Sequence, residues 1–145
     1  MRELPRQLTV DELAELFEGR TRLVELLAER EDPLETAEGT IAELDEADKV
    51  EALNAHPAIG ATHLSERSAV EQGTEADPAV MTELAYLNQV YEEKHGFRFV
   101  VFVNRRSRAE LLQVLQERLR RTREEELETG LEELVAIARD RWRRG

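Results

Sequence analysis

Apolar residues recur along this chain at spacings of three and four with charged residues between them, and that rhythm predicts helices. Thr9 stands before Val10-Asp11-Glu12 as an N-cap, with Glu12 three residues on completing a capping box. The first helix is expected from about Val10 to Glu18, closed by Gly19. Leu23, Leu26 and Leu27 predict a second over Thr21 to Ala28. Pro33 suits the first turn of a third running toward Leu44. Asp45 caps a fourth that carries Val50 and Leu53 and ends near His56-Pro57. Downstream, Asp77 and Pro78 open a helix with Val80, Leu84, Leu87 and Tyr91 on one face, stopped by Gly96. Ser107 caps the next, with Leu111, Leu112, Val114, Leu115 and Leu119 inward. The last runs from about Glu124 to Trp142 on a stripe of Leu127, Leu131, Leu134, Ala138 and Trp142.

Two stretches break the rhythm. Phe97 to Val103 (FRFVVFV) is apolar, aromatic and β-branched, but no other segment offers it a partner strand, so a buried extended segment is expected. From His56 to Asp77 the periodicity is weak, and Gly60, Ser65, Ser68 and Gly73 predict loops flanking a short helix around Ser68 to Gln72. Long irregular segments inside compact domains are usually functional or disordered, which makes this the place to look for chemistry. The expected fold class is all-α: one domain over residues 1–145, a bundle of about seven to eight helices with a short buried extended segment near 97–103.

Charge narrows the range of functions. Twenty basic residues against 32 acidic ones give a formal charge of −12, which argues against nucleic-acid or anionic-membrane binding. Cysteine is absent, so disulfides, thiolate nucleophiles and Cys-ligated metals are excluded. No stretch approaches the ~20 apolar residues of a membrane span. The first residues lack the pattern of a secretory signal and the last carry no lipidation box, so a cytoplasmic domain is expected. Phosphate-loop, dinucleotide, zincin and serine-hydrolase motifs are all missing.

Few residues remain as candidates. His56 and His63 are seven apart, but Pro57 and Gly60 between them argue against a shared helical face, and no metal site is expected. His56 ends an apolar helical segment. It reads either as a helix C-terminal cation favoured by the macrodipole or as a general acid/base, since imidazole titrates near neutral pH. Ser68, Glu71 and Gln72 can share one helical face, a spacing that also describes a capping box. Arg141 lies among Arg139, Arg143 and Arg144 and reads by default as a solvated cation at a helix C-terminus.

Taken in order, four motifs resemble one family. They are His56-Pro57-Ala58-Ile59-Gly60; Ser68-Ala69-Val70-Glu71-Gln72; Leu87-Asn88 with Tyr91, Lys94, Gly96, Phe97 and Phe99; and the LLQVLQERL run ending at Leu119. The sequence is similar to the 2-oxo-4-hydroxy-4-carboxy-5-ureidoimidazoline (OHCU) decarboxylases of urate degradation. The motif-bearing region spans about 52–142, and residues 1–50 diverge from the pattern. The resemblance implies an all-helical, cofactor-free enzyme, commonly a homodimer, that acts on a small-molecule substrate and forms (S)-allantoin. Carried over by position, His56 and Glu71 match catalytic residues. Pro57, Ser68, Ala69, Val70 and Gln72 match substrate contacts, as do the backbone of Phe99, Val100, Val101, Phe102 and Val103, and Arg141. Two alternatives stand beside this reading: a decarboxylase of a related ureido or imidazoline acid, and a non-catalytic helical binding module on the same fold.

Overall fold

The computed structural model describes residues 2–58 and 77–145. Within them the chain forms seven helices and no strand, as the all-α expectation requires. They are α1 (Val10–Phe17), α2 (Arg22–Ala28), α3 (Ala37–Ala42), α4 (Glu46–Asn54), α5 (Pro78–His95), α6 (Arg108–Arg118) and α7 (Arg123–Arg144). The short helix expected around Ser68 to Gln72 lies outside the described residues.

The caps read from sequence form as expected. Thr9 and Glu12 close a reciprocal capping box on α1, and Ser107 and Glu110 do the same on α6. The Asp45 carboxylate accepts from the Asp48 N–H at 2.9 Å and that of Asp77 from Ala79 N–H at 2.9 Å, each satisfying a helix-end donor. Gly96 ends α5 at φ 80, a left-handed turn that a side chain would resist. A third capping box, Thr122 with Glu125, starts α7 at Arg123.

The third helix is shorter than its sequence predicts. Pro33 opens a turn rather than a helix, and α3 begins only at Ala37. Asp32 is the cause: it sits at φ 50, and its N–H donates to Arg6 O at 2.8 Å, which pins the turn to the N-terminal segment. From the other side Arg139 Nε donates to Leu34 O at 2.9 Å. Tertiary anchors thus hold a conformation that a helical Pro33 would break.

Apolar side chains of all seven helices meet in one core, among them Leu13, Leu23, Leu27, Leu53, Leu84, Leu111 and Leu134. The extended segment runs through it, with Phe97, Phe99, Val100, Val101 and Val103 buried, as expected. Two glycines set how closely helices approach. A Cβ at Gly130 would meet Leu53 Cδ2 at 3.2 Å, so α7 lies directly against the end of α4. A Cβ at Gly19 would meet Ala55 Cβ at the same distance, which brings the end of α1 to the same place. The residue that follows Ala55 is His56.

Candidate active site

His56 lies just past the C-terminus of α4, its N–H donating to Leu53 O at 3.1 Å. The side chain is buried, 8% exposed, and its Nδ1 has no hydrogen-bond partner among the described residues. Burial above all, with the charges of Arg141 and Arg98 and against that of Glu18, lowers the imidazole pKa to about 4. At neutral pH the ring is therefore uncharged. The macrodipole reading required a cation at this position, and desolvation with two neighbouring guanidiniums removes it.

An unfolded chain protonates His56 near pH 6.5, but the folded one does so only near 4, so below 6.5 the unfolded state binds more protons. Stability contributed by the neutral ring is complete above pH 6.5 and is lost as pH falls through about 4. At pH 5 the loss from this group is on the order of 2 kcal/mol. Urea denaturation at pH 7 and pH 5 should show that His56→Asn removes that part of the acid sensitivity; an unchanged difference between the two pH values would refute the account.

Arg141 differs from its neighbours. Arg139 is tied to Leu34 O, Glu35 O and Glu38, Arg144 pairs with Asp140, and Arg143 is exposed. Arg141 is 1% exposed, donates from Nη1 to Leu16 O at 3.0 Å and lies 3.1 Å from the Glu18 carboxylate. The dipole it offsets is that of α1 rather than of its own helix, which corrects the reading of a solvated cation. Burial without solvent screening makes its charge count at His56.

Arg98 faces the same site from the extended segment. Its Nη1 donates to His56 O at 2.8 Å and to Asn54 O at 3.2 Å, while its N–H donates to Asn54 Oδ1. Neither Glu18 nor Arg98 stood out in the sequence. Arg98 had one available signal, its place between Phe97 and Phe99, where strand-like alternation turns it away from their buried side.

The extended segment is held by a second buried cluster that the sequence reading also missed. Glu126 on α7, fully buried, accepts from Tyr91 Oη at 2.6 Å, Arg118 Nε at 2.7 Å and Arg121 Nη1 at 3.1 Å. Burial and the bond to Glu126 push the Tyr91 hydroxyl far above its usual range, so it stays protonated and donates. Arg118 also donates to Val100 O at 2.7 Å and stacks over Phe99. Glu133 accepts from Phe102 N–H, and Arg106 donates to Phe102 O and Val103 O. Several backbone groups expected to meet a ligand thus already have protein partners. The Val101 amide and carbonyl make no hydrogen bond among the described residues.

Of the sequence candidates, His56 and Arg141 come together electrostatically, Pro57 is half-buried beside His56, and Phe99 to Val103 form the fixed segment near Arg98. Ser68, Ala69, Val70, Glu71 and Gln72, with His63, lie outside the described residues. Among the described residues no group of three or more His, Asp or Glu is arranged to hold a metal ion. No helix among them is long and apolar enough to cross a membrane.

Comparison with known proteins bears on this site. A family model described as OHCU decarboxylase matches residues 2–143, so the match runs through the first fifty residues as well as the motif-bearing region. A 2-oxo-4-hydroxy-4-carboxy-5-ureidoimidazoline decarboxylase of Halalkalicoccus jeotgali is 30% identical over 104 residues, covering 68% of this chain. The uric acid degradation bifunctional protein TTL of Arabidopsis thaliana is 35% identical over 100 residues, 62% of this chain. Those matches span 59% and 31% of the two relatives' own lengths. A crystal structure of OHCU decarboxylase in the presence of (S)-allantoin superposes with a TM-score of 0.75 at 26% identity, covering 90% of this chain and 94% of that one. A crystal structure of (S)-allantoin synthase shares the fold, with a TM-score of 0.69 at 21% identity over 91% of this chain and 47% of that one.

Proposed function

The chain belongs to the OHCU decarboxylase family, and on that premise we propose that it decarboxylates OHCU to (S)-allantoin. The observation that carries the reading is a buried, neutral imidazole at His56, whose Nδ1 has no partner among the described residues, set beside the buried cation of Arg141. Buried polar atoms are normally satisfied, so an imidazole nitrogen with no partner among the described residues, beside a cation, suits a site for a small polar anion.

The reaction breaks the bond between C4 and its carboxylate and releases CO₂. The electron pair forms an enol across C4 and the ureido-bearing C5, with the negative charge taken up by the ring nitrogen bonded to C5. That nitrogen gains a proton, and the C4 hydroxyl gives up its proton to become the ring carbonyl. A proton added to one face of C5 completes allantoin, a net uptake of one proton. Donors fixed at the ring stabilise the developing charge, a task suited to Arg141 and to backbone N–H groups of the Phe99 to Val103 segment such as that of Val101, which Phe102, bonded to Glu133, does not share. His56 and Glu71 divide the proton work: one handles the substrate hydroxyl or carboxylate and the other protonates one face of the carbon. Delivery to a single face makes the product one enantiomer. Pro57 and the segment Ser68, Ala69, Val70 and Gln72 orient the ring and ureido arm in this reading, which for them rests on the family motif.

The test generates OHCU in situ from urate, adds the protein and follows circular dichroism. Rapid growth of the (S)-allantoin signal is expected; the slow racemic background alone would refute the reading. The same family resemblance supports a cytoplasmic homodimer, and a monomer mass by light scattering would refute the dimer.

A further inference from the structure

Glu18 occupies a position that local physics disfavours twice. It caps the C-terminus of α1 in the left-handed conformation, φ 65 and ψ 24, a state usually left to glycine or asparagine. Gly19 stands next to it, where a side chain would crowd Ala55 Cβ at 3.2 Å. A carboxylate at a helix C-terminus also meets the negative end of the dipole. Strain of this kind persists where the surroundings enforce it, and it gathers at functional sites.

The side chain shows what is set against that strain. Its carboxylate is 13% exposed and lies 3.1 Å from Arg141 Nη1, the same nitrogen that donates to Leu16 O. Arg141 has crossed from the end of α7 to be gripped at two points on the end of α1, beside His56. Among the described residues the charges facing His56 come from Glu18 at the end of α1, Arg141 of α7 and Arg98 of the extended segment.

We propose that Glu18 is a positioning residue for the reaction, acting through Arg141 by fixing its guanidinium in the orientation that the substrate meets at His56. The kinetic part of this proposal rests on the decarboxylase reading. Glu18→Ala is expected to lower kcat/KM about tenfold, within the range a small misplacement of a site group produces. Glu18→Gln keeps an accepting oxygen and should fall between that variant and the wild type. In an Arg141→Ala background, Glu18→Ala should cost nothing further, because the two residues act as a unit. Equal losses in both backgrounds, or wild-type kinetics for Glu18→Ala, would overturn the proposal.

A second arm needs no turnover and so separates this proposal from the decarboxylase reading. In the intact protein, the Arg141 guanidinium should give sharp, slowly exchanging NMR signals, unlike exposed Arg143. Glu18→Ala, or Glu18→Gln if the alanine variant does not fold, should broaden them toward the Arg143 pattern. Unchanged Arg141 signals would overturn the positioning role even if OHCU turnover proved absent.

Discussion

On the proposed activity, replacing His56 by Asn is expected to lower kcat/KM for OHCU by about 10²–10⁴, the usual contribution of one positioned acid/base, while leaving the fold intact. The expectation follows from the ring's surroundings. It lies at the junction of α1, α4 and α7, its Nδ1 makes no bond among the described residues, and burial together with two arginines keeps it neutral. A neutral imidazole has one N–H to give and one lone pair to receive a proton. Asn retains a donor and an acceptor of similar reach but has no useful pKa, so the substitution removes proton transfer more than it removes packing. The measurement is the rate of (S)-allantoin formation by circular dichroism, alongside a urea titration at pH 7. A folded variant turning over stereospecifically at the wild-type rate would remove His56 from the proton path. Because protonating the ring is disfavoured down to about pH 4, activity that needs its neutral form should hold from neutral pH down to that region, until acid unfolding intervenes.

Replacing Glu126 by Ala destabilises the folded chain by about 3–5 kcal/mol, the cost of breaking a buried pair and stranding its partner. The Tyr91 hydroxyl and Arg118 Nε lose their acceptor at once, and Arg121 Nη1 is left with Thr129 Oγ1. Arg118 is almost wholly buried, so water does not readily replace the lost carboxylate. The network joins α5, α6 and α7 to the extended segment through Val100 O, which means the loss spreads to the backbone of Phe99 to Val103. Glu126→Gln should cost less, since one oxygen can still accept from Tyr91. Urea denaturation at pH 7 decides the matter: a change under about 1 kcal/mol, typical of an exposed pair, would show that the cluster contributes little.

The sequence by itself determined the secondary structure closely. Capping boxes, Asp45, Asp77 and Gly96 are local devices whose hydrogen bonds close within four residues, so their outcome is written in short stretches of chain. The buried extended segment was legible for a related reason: seven residues with six apolar side chains and no evident partner strand in the sequence leave few alternatives. The family motifs pointed to His56 and Arg141 by position.

Which polar residues would be buried was half written. Leu131, Leu134 and Ala138 continue at helical spacing onto Arg141, Leu111 and Leu115 onto Arg118, and Leu84 and Tyr91 share their face with Asn88 and His95. A charged residue on an apolar stripe signals burial, but it does not name its partner. That was settled by tertiary structure alone. Glu18 and Arg141 are separated by more than a hundred residues, and they meet because Gly19 and Gly130 let α1, α4 and α7 close around one point. The neutral state of His56 was decided there too, since desolvation and the field of two guanidiniums exist only once distant segments have packed.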